Sequence, residues 1–495
     1  MLHKKILFVT SEAVPFAKSG GLGDMVTALA QALQERGHDV RVVMPRYYSI
    51  ARDQLSRRME PLGVPLGFGE EWCAVFEADI TNTKGVPFYF IEHEGYFGRE
   101  GIYGEDSSSS FPDNFARYTL LSRAAFQLCR AIGWIPDIMH AHDWPTALVP
   151  VYLQTWERSR EFCHTASVFT IHNLGYQGWF SKDEIFYSQI SENDFYHYGL
   201  EALGAINLMK AGITSSDIIT TVSPTYAQEI QTEAYGEGQD WLLRSRSDQI
   251  IGILNGIDTD IWNPQTDIHI EPYNYSATDR SNKIKIKALL QERMNLPVIK
   301  DQPLVAMISR LVSQKGIELL LGDWGVLSRL MHYHNQVQVV IIGTGEEYFE
   351  QELKALSNRY PHNIRVNILF DEPLSHVVEA GADFFLMPSR YEPCGLNQMY
   401  SLRYGTLPIV RRTGGLVDTV TSYQKETGDG TGWIFNDYNV DGCWWALNDA
   451  IETYYQRPDH IEGMRERAMK EDFTWMSSAK LYETAYERAI KYRNT

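Results

Sequence analysis

A two-part pattern occurs twice in this chain and constrains its fold more than any other feature. A short apolar run leads into a glycine pair, and a helix-forming stretch follows. Near the N-terminus, Lys5–Thr10 precedes Lys18-Ser19-Gly20-Gly21-Leu22-Gly23-Asp24. Leu22, Met25, Leu29 and Leu33 then recur at three- and four-residue spacing, which predicts a helix from about Leu22 to Arg36. Far downstream, Leu407–Val410 precedes Arg412-Thr413-Gly414-Gly415-Leu416-Val417-Asp418. A strand that feeds a helix through a tight turn is the building block of a parallel sheet covered on both faces. Further apolar runs extend each copy into a series. Val40–Met44, Asp137–His140, Ser167–Ile171 and Ile218–Val222 belong to the first, and Leu304–Ser309, Val337–Ile342, Ile364–Phe370 and Phe384–Pro388 to the second. The expected fold class is α/β, with two doubly wound halves and a cleft between them. Ligands in such sheets bind beyond the carboxyl ends of the strands.

The pattern breaks at Asn255-Gly256-Ile257-Asp258, and Pro264 and Pro272 follow. This places a first domain at 1–260, a second at 261–475, and a C-terminal helix at 476–495 that can return to the first. The stretch Phe97–Asn114, with Gly98, Gly101, Gly104 and the run Ser107–Ser110, reads as a long loop. Asp plus Glu number 63 against 45 Lys plus Arg, a net charge of −18. Such a surface repels nucleic acid and anionic membranes as partners. Five scattered cysteines with no CxxC pair argue against a disulfide framework or structural zinc and fit a reducing compartment. No run approaches the roughly 18 apolar residues of a spanning helix, and the N-terminus has no signal-peptide pattern. The expected location is the cytoplasm, or a plastid stroma if a plant or algal transit peptide has been removed.

The loops at the predicted strand ends carry the chemistry. At Lys18, Gly20, Gly21 and Asp24, close backbone approach and free helix-start N–H groups suit a phosphate or diphosphate. A ligand-free tight turn fits the glycines equally well, and the spacing is neither a dinucleotide fingerprint nor a Walker loop. His140-Ala141-His142-Asp143-Trp144 puts two histidines on one strand face. Without a third ligand at a suitable spacing a metal is disfavoured, and no metal is expected. Asp143 is a candidate acid/base or cation stabiliser, and Trp144 reads best as core. His172 ends a strand and opens a glycine-containing loop, where a structural histidine is the simpler reading. Arg310 and Lys315, in Ser309-Arg310-Leu311-Val312-Ser313-Gln314-Lys315-Gly316, can clamp a diphosphate. Glu392, in Ser389-Arg390-Tyr391-Glu392-Pro393-Cys394-Gly395-Leu396-Asn397, can bind sugar hydroxyls or stabilise positive charge at an anomeric carbon. Cys394 has no evident base beside it and reads as packing. Gly343-Thr344-Gly345 is a fragment of a dinucleotide loop that lacks its third glycine.

As a set, Lys-Ser-Gly-Gly-Leu-Gly-Asp, His-Ala-His-Asp-Trp, Ser-Arg-Leu…Gln-Lys-Gly and Glu-Pro-Cys-Gly-Leu resemble bacterial glycogen synthases and plant starch synthases, in that family's order and from Ile6 to about Tyr486. The resemblance implies a GT-B fold and transfer of glucose from ADP-glucose to the 4-hydroxyl at a non-reducing end of an α-1,4-glucan, with retention and no cofactor. It implies that Lys18, Gly20, Gly21, Asp24, Asn255, Arg310, Lys315, Phe370, Cys394, Gly395 and Leu396 bind the donor. It places Glu392, His172 and Asp143 at the reacting centre. Asn397, where many bacterial members carry Thr, resembles the starch synthase branch. The rival classes are an α-glucan phosphorylase, a two-carboxylate glycoside hydrolase and a glucan-binding protein without transferase activity.

Overall fold

A computed structural model describes residues 3–58, 60–105 and 109–495. Ser107 and Ser108 of the serine run therefore lie outside the described residues. The chain divides into two compact units, 1–256 with 475–495, and 257–474. The chain crosses between them twice. Ile257 donates its N–H to the Phe473 carbonyl (2.8 Å) and pairs with Thr474 in a parallel bridge.

The first unit is built on one large sheet. Its strands in chain order are β1 (Lys5–Val9), β2 (Asp39–Pro45), β3 (Leu55–Arg57), β4 (Leu62–Leu66), β5 (Gly69–Ala78), β6 (Phe88–Glu92), β7 (Ile138–His142) and β8 (Ala166–Ile171). Three short strands, β9 (Trp179–Ser181), β10 (Glu201–Ala202) and β11 (Ala205–Asn207), form a separate antiparallel sheet. Two more, β12 (Ile218–Thr221) and β13 (Ile250–Gly252), complete the large one. Its spatial order is β13-β12-β8-β7-β1-β2-β6-β5-β3, with β4 paired to β5. From β13 to β6 every pairing is parallel, with Phe8 opposite His140 and His142 opposite Thr170. Beyond β6 the pairing turns antiparallel. The sheet is thus mixed rather than wholly parallel, and the periodicity argument assigns none of β3–β6. Strand β4 alternates buried and half-buried residues, as a strand with one wetter face does, whereas β6, like β1 and β8, is a nearly continuous apolar run that the same rule could have found.

Helix Gly21–Glu35 buries Leu22, Met25, Val26, Leu29, Ala30 and Leu33 and ends before Gly37. The C-terminal helix Trp475–Arg493 belongs to this first unit. Its Glu483 is buried and accepts hydrogen bonds from Arg36 (2.7 Å) and His38 (3.0 Å), and its Tyr486 hydroxyl meets His140 Nδ1 at 2.9 Å.

The second unit holds β14 (Leu304–Ile308), β15 (Gln338–Ile342), β16 (Ile364–Asn367), β17 (Phe384–Met387), β18 (Leu407–Arg411) and β19 (Trp433–Phe435), all parallel, in the order β16-β15-β14-β17-β18-β19. The sequence pattern runs β16 on to Phe370. The strand stops at Asn367 because that residue pairs with Ile342, the last residue of β15. Below the sheet lies a buried ionic cluster, in which Asp383 accepts from Lys287 Nζ and Arg465 Nη2, each at 2.6 Å. Burial alone would raise the Asp383 pKa, but the two cations hold it below the usual carboxylate value. Its contribution is therefore present above the unfolded carboxylate range and is lost as pH falls through the lower folded value. Asp383→Asn leaves Lys287 buried without its counter-charge and leaves Arg465 to Glu462, 2.7 Å away. It is expected to lower stability by about 3 kcal/mol, read as a lower urea midpoint at pH 7; equal midpoints would disprove the role of the cluster.

Candidate functional site

Strand order locates the sites. In the first unit the chain proceeds β1, β2, β6 in one direction and then β7, β8, β12, β13 in the other, so the order reverses between β1 and β7. In the second unit it reverses between β14 and β17. At such a point adjacent strand-end loops part and leave a crevice for a ligand.

In the first unit β1 delivers the Lys18 loop, β7 delivers Asp143, β8 delivers His172, and the edge strand β13 leads to Asn255. Asp143 sits at φ +55°, a strained value for a non-glycine residue. Its Oδ1 accepts the backbone N–H of His172 at 2.7 Å, which joins the ends of two adjacent strands. Burial pushes the Asp143 carboxyl up to about 8, opposed by the backbone N–H groups of His172 and Asn173 and reinforced by the charge of Glu12. Burial also lowers the His172 imidazole to about 3, so it is neutral at pH 7. His142 Nδ1 meets His172 Nε2 at 3.1 Å. His140 bonds Thr170 Oγ1 (2.6 Å) and Tyr486, so the two histidines of β7 serve neighbouring side chains. Trp144 packs among Tyr103, Tyr118 and Phe180. Asn255 is buried, and its Oδ1 has no hydrogen-bond partner among the described residues.

The glycine-rich loop holds an anion of the chain's own. Glu12, three residues beyond β1 and 2% exposed, fills the turn with its carboxylate. It accepts from the backbone N–H groups of Ser19 (2.5 Å) and Gly20 (3.2 Å), from Ser19 Oγ (2.6 Å) and from the Tyr103 hydroxyl (2.6 Å). The Gly20 N–H that the sequence offers to a phosphate is thus held by an internal anion. Tyr103, in the long loop before Asn114, is tied to this turn. Lys18 pairs with Asp24 at 2.6 Å and stays half-exposed. Sequence reasoning missed Glu12; its signal is an acidic residue directly beyond the strand at which the order reverses.

In the second unit Arg310 and Lys315 follow β14, and Glu392 follows β17. Lys315 Nζ lies 2.6 Å from Glu392 Oε2, which also accepts from Ser389 Oγ (2.9 Å). Both members of the pair are largely buried, with side chains 18% and 6% exposed. The turn after Lys315 comes within touching distance of β17 because Gly316 has φ +73° and no Cβ; one placed there would lie 2.1 Å from the Pro388 carbonyl oxygen. The second glycine pair serves the same purpose. A Cβ on Gly414 would lie 1.9 Å from the Glu392 carbonyl oxygen, and Gly415 donates its N–H to the Glu392 and Pro393 carbonyls. Those glycines pack the Glu392 loop, and the Gly415 N–H is taken up by its carbonyls. Likewise Gly345 forms a parallel bridge with Leu311, and Leu311 donates to the Thr344 carbonyl, so Gly343-Thr344-Gly345 braces the Arg310 loop. Cys394 is buried, Gly395 has φ +73°, and Leu396 leads into helix Asn397–Arg403. Asn397 Nδ2 donates to the Ile308 carbonyl at 2.7 Å, tying that helix to the end of β14. Phe370 stands 76% exposed before the Asp371-capped helix Glu372–Gly381.

Two Rossmann-like units, each carrying charged side chains where its strand order reverses, define the GT-B class of glycosyltransferases. A model for the starch synthase catalytic domain matches residues 5–245, and one for glycosyl transferases group 1 matches residues 291–470. A glycogen synthase from Treponema denticola is 50% identical over 487 residues, covering 98% of this chain and 99% of the relative. Glycogen synthase 1 from Geobacter sulfurreducens is 44% identical over 497 residues, covering 100% and 98%. Among solved structures, the catalytic domain of starch synthase IV from Arabidopsis thaliana bound to ADP and acarbose superposes with a TM-score of 0.89 at 32% identity, covering 99% of this chain and 100% of that one. The chain belongs to the glycogen synthase and starch synthase family.

Proposed function

We propose that this glucan-elongating glucosyltransferase takes glucose from ADP-glucose and adds it, with retention, to the 4-hydroxyl at the non-reducing end of an α-1,4-glucan. The observation that carries the reading is the buried pair of Lys315 and Glu392 at the second unit's point of reversal, one cation and one carboxylate held 2.6 Å apart. In the reaction the bond from C1 to the diphosphate oxygen breaks and its electrons leave with ADP. Lys315 and Arg310 stabilise that negative charge, with Lys18 and Asn255 as further donor contacts. Glu392 stabilises the positive charge that develops at the sugar. The acceptor oxygen then bonds to C1 on the face the diphosphate leaves, and its proton passes to the departing diphosphate. No covalent glycosyl-protein adduct forms, and trapping one would overturn this front-face route. Support for ADP comes from the starch synthase relative, whose structure holds that nucleotide. The bacterial relatives and the scattered cysteines support a cytoplasmic location.

Release of ADP or UDP from ADP-glucose and UDP-glucose, with and without a glucan primer, tests the reading. ADP release that requires primer and lengthens it is expected. Maltodextrin shortening without a nucleotide sugar would favour a hydrolase instead, and glucan binding without ADP release a non-catalytic binder.

Asp143 adds a pH signature. With its carboxyl near 8 it is mostly protonated at pH 7 and donates a hydrogen bond at the reacting centre; above 8 it becomes an anion and loses that role. Turnover is expected to fall as pH rises through about 8, and Asp143→Asn removes this limb. A rate that rises through the same range contradicts the assignment.

A further inference from the structure

The buried histidines of β7 have a role that neither their spacing nor the family assignment supplies. His142 is fully buried, and its ring lies between Phe8 (centroids 5.3 Å apart) and His140 (4.2 Å). Its Nδ1 meets His172 Nε2 at 3.1 Å, while its Nε2 is buried with no partner among the described residues. Burial, with the neighbouring histidines, keeps His142 neutral, and burial does the same for His172. Each ring therefore carries one proton, and one hydrogen bond joins them. Two arrangements satisfy that bond. In one, His172 Nε2–H donates, which forces the His142 proton onto Nε2 and leaves a buried N–H with nothing to accept it. In the other, His142 Nδ1–H donates, and only a lone pair on Nε2 is unmatched. Orphaned buried N–H groups are rarer in folded proteins than under-used acceptors, so the second arrangement prevails.

We infer that His142 is a positioning residue: by donating from Nδ1 it fixes His172 as the Nδ1–H tautomer, so that His172 meets the substrate as a hydrogen-bond donor to an oxygen and not as a proton acceptor. His172 is half-buried, and among the described residues its ring bonds through Nε2 to His142, so its Nδ1–H is left to donate to a ligand oxygen, of a sugar hydroxyl or a phosphate. The array behind His142 is fixed in turn. His140 is held between Tyr486 of the C-terminal helix (2.9 Å) and Thr170 (2.6 Å), and Thr170 bonds Thr220 (2.6 Å). The inference rests on the reading of His172 as part of the reacting site.

Nitrogen-15 labelling of the histidines in the whole chain tests it, with the His172 signals assigned by their loss in His172→Gln. A protonated Nδ1 and an unprotonated Nε2 on His172 are expected, and the opposite pattern in the unmodified protein overturns the inference. His142→Phe removes the donor. It is expected to scramble the His172 tautomers and to lower kcat by at least about tenfold. His142→Asn, whose amide N–H replaces Nδ1–H, is expected to restore the Nδ1–H pattern and most of the turnover. A His142→Phe protein that keeps both the pattern and the turnover overturns the inference; if that variant does not fold, the spectrum of the unmodified protein decides alone. Primer-dependent ADP release by the unmodified protein tests the proposed activity separately, because the spectrum is read without substrate.

Discussion

Lys315→Ala is expected to lower turnover by at least about 100-fold, because the proposed clamp loses a preorganised charge at the departing diphosphate. The structure adds a second consequence. Glu392 is 5% exposed, and Lys315 is its cationic partner at 2.6 Å, leaving its side chain only Ser389 Oγ among the described residues once the amine is gone. A buried carboxylate stripped of its cation destabilises the fold, so the single variant loses stability as well as rate. The double variant Lys315→Ala/Glu392→Gln separates the two effects. Removing the stranded charge restores the urea midpoint but does not restore turnover. Near-parental turnover in Lys315→Ala would remove the diphosphate-clamp assignment, and a double variant no more stable than the single one would show that the pair is not what holds the Glu392 loop.

Gly414→Ala is expected to cost about as much, through the Glu392 loop that residue 414 packs against. Its φ of +44° is strained for any residue with a Cβ, and that Cβ would lie 1.9 Å from the Glu392 carbonyl oxygen. One of the two backbones has to move, and the loop carrying Glu392 is the one pressed. A displacement near 1 Å at a reacting group costs on the order of 100-fold in rate, about 2.7 kcal/mol of transition-state stabilisation. Steady-state kinetics with ADP-glucose and a glucan primer reads the loss. The equivalent change at Gly69, where nothing lies within 4 Å of an added Cβ and which has no part in the site, serves as the steric comparison. Full activity in Gly414→Ala would show that the close approach does not position Glu392.

Both glycine pairs stand out as a sequence motif, yet they do different things. Gly20 and Ser19 donate their N–H groups to Glu12, whereas Gly414 and Gly415 bring two backbone segments into contact. A glycine tells a reader that a side chain is unwelcome; it does not tell what occupies the space. Strands β3–β5, beyond the parallel part of the sheet, escape the periodicity argument for a related reason. Their pairing depends on which face is wet, and that is settled by what packs against them.

What the residues determine unaided is the alternation of strands and helices, and with it the strand-end positions of Asp143, His172, Arg310, Lys315 and Glu392. Periodicity and turn chemistry act over a few neighbouring residues, so they survive in a linear string. What only the tertiary structure decided is the pairing. Lys315 meets Glu392 across 77 positions, Glu12 meets Tyr103 across 91, and His140 meets Tyr486 across 346. Such contacts are created by strand order, which brings distant loops to one edge of a sheet. Electrostatic and hydrogen-bond energies fall off with distance in space and take no account of separation along the chain.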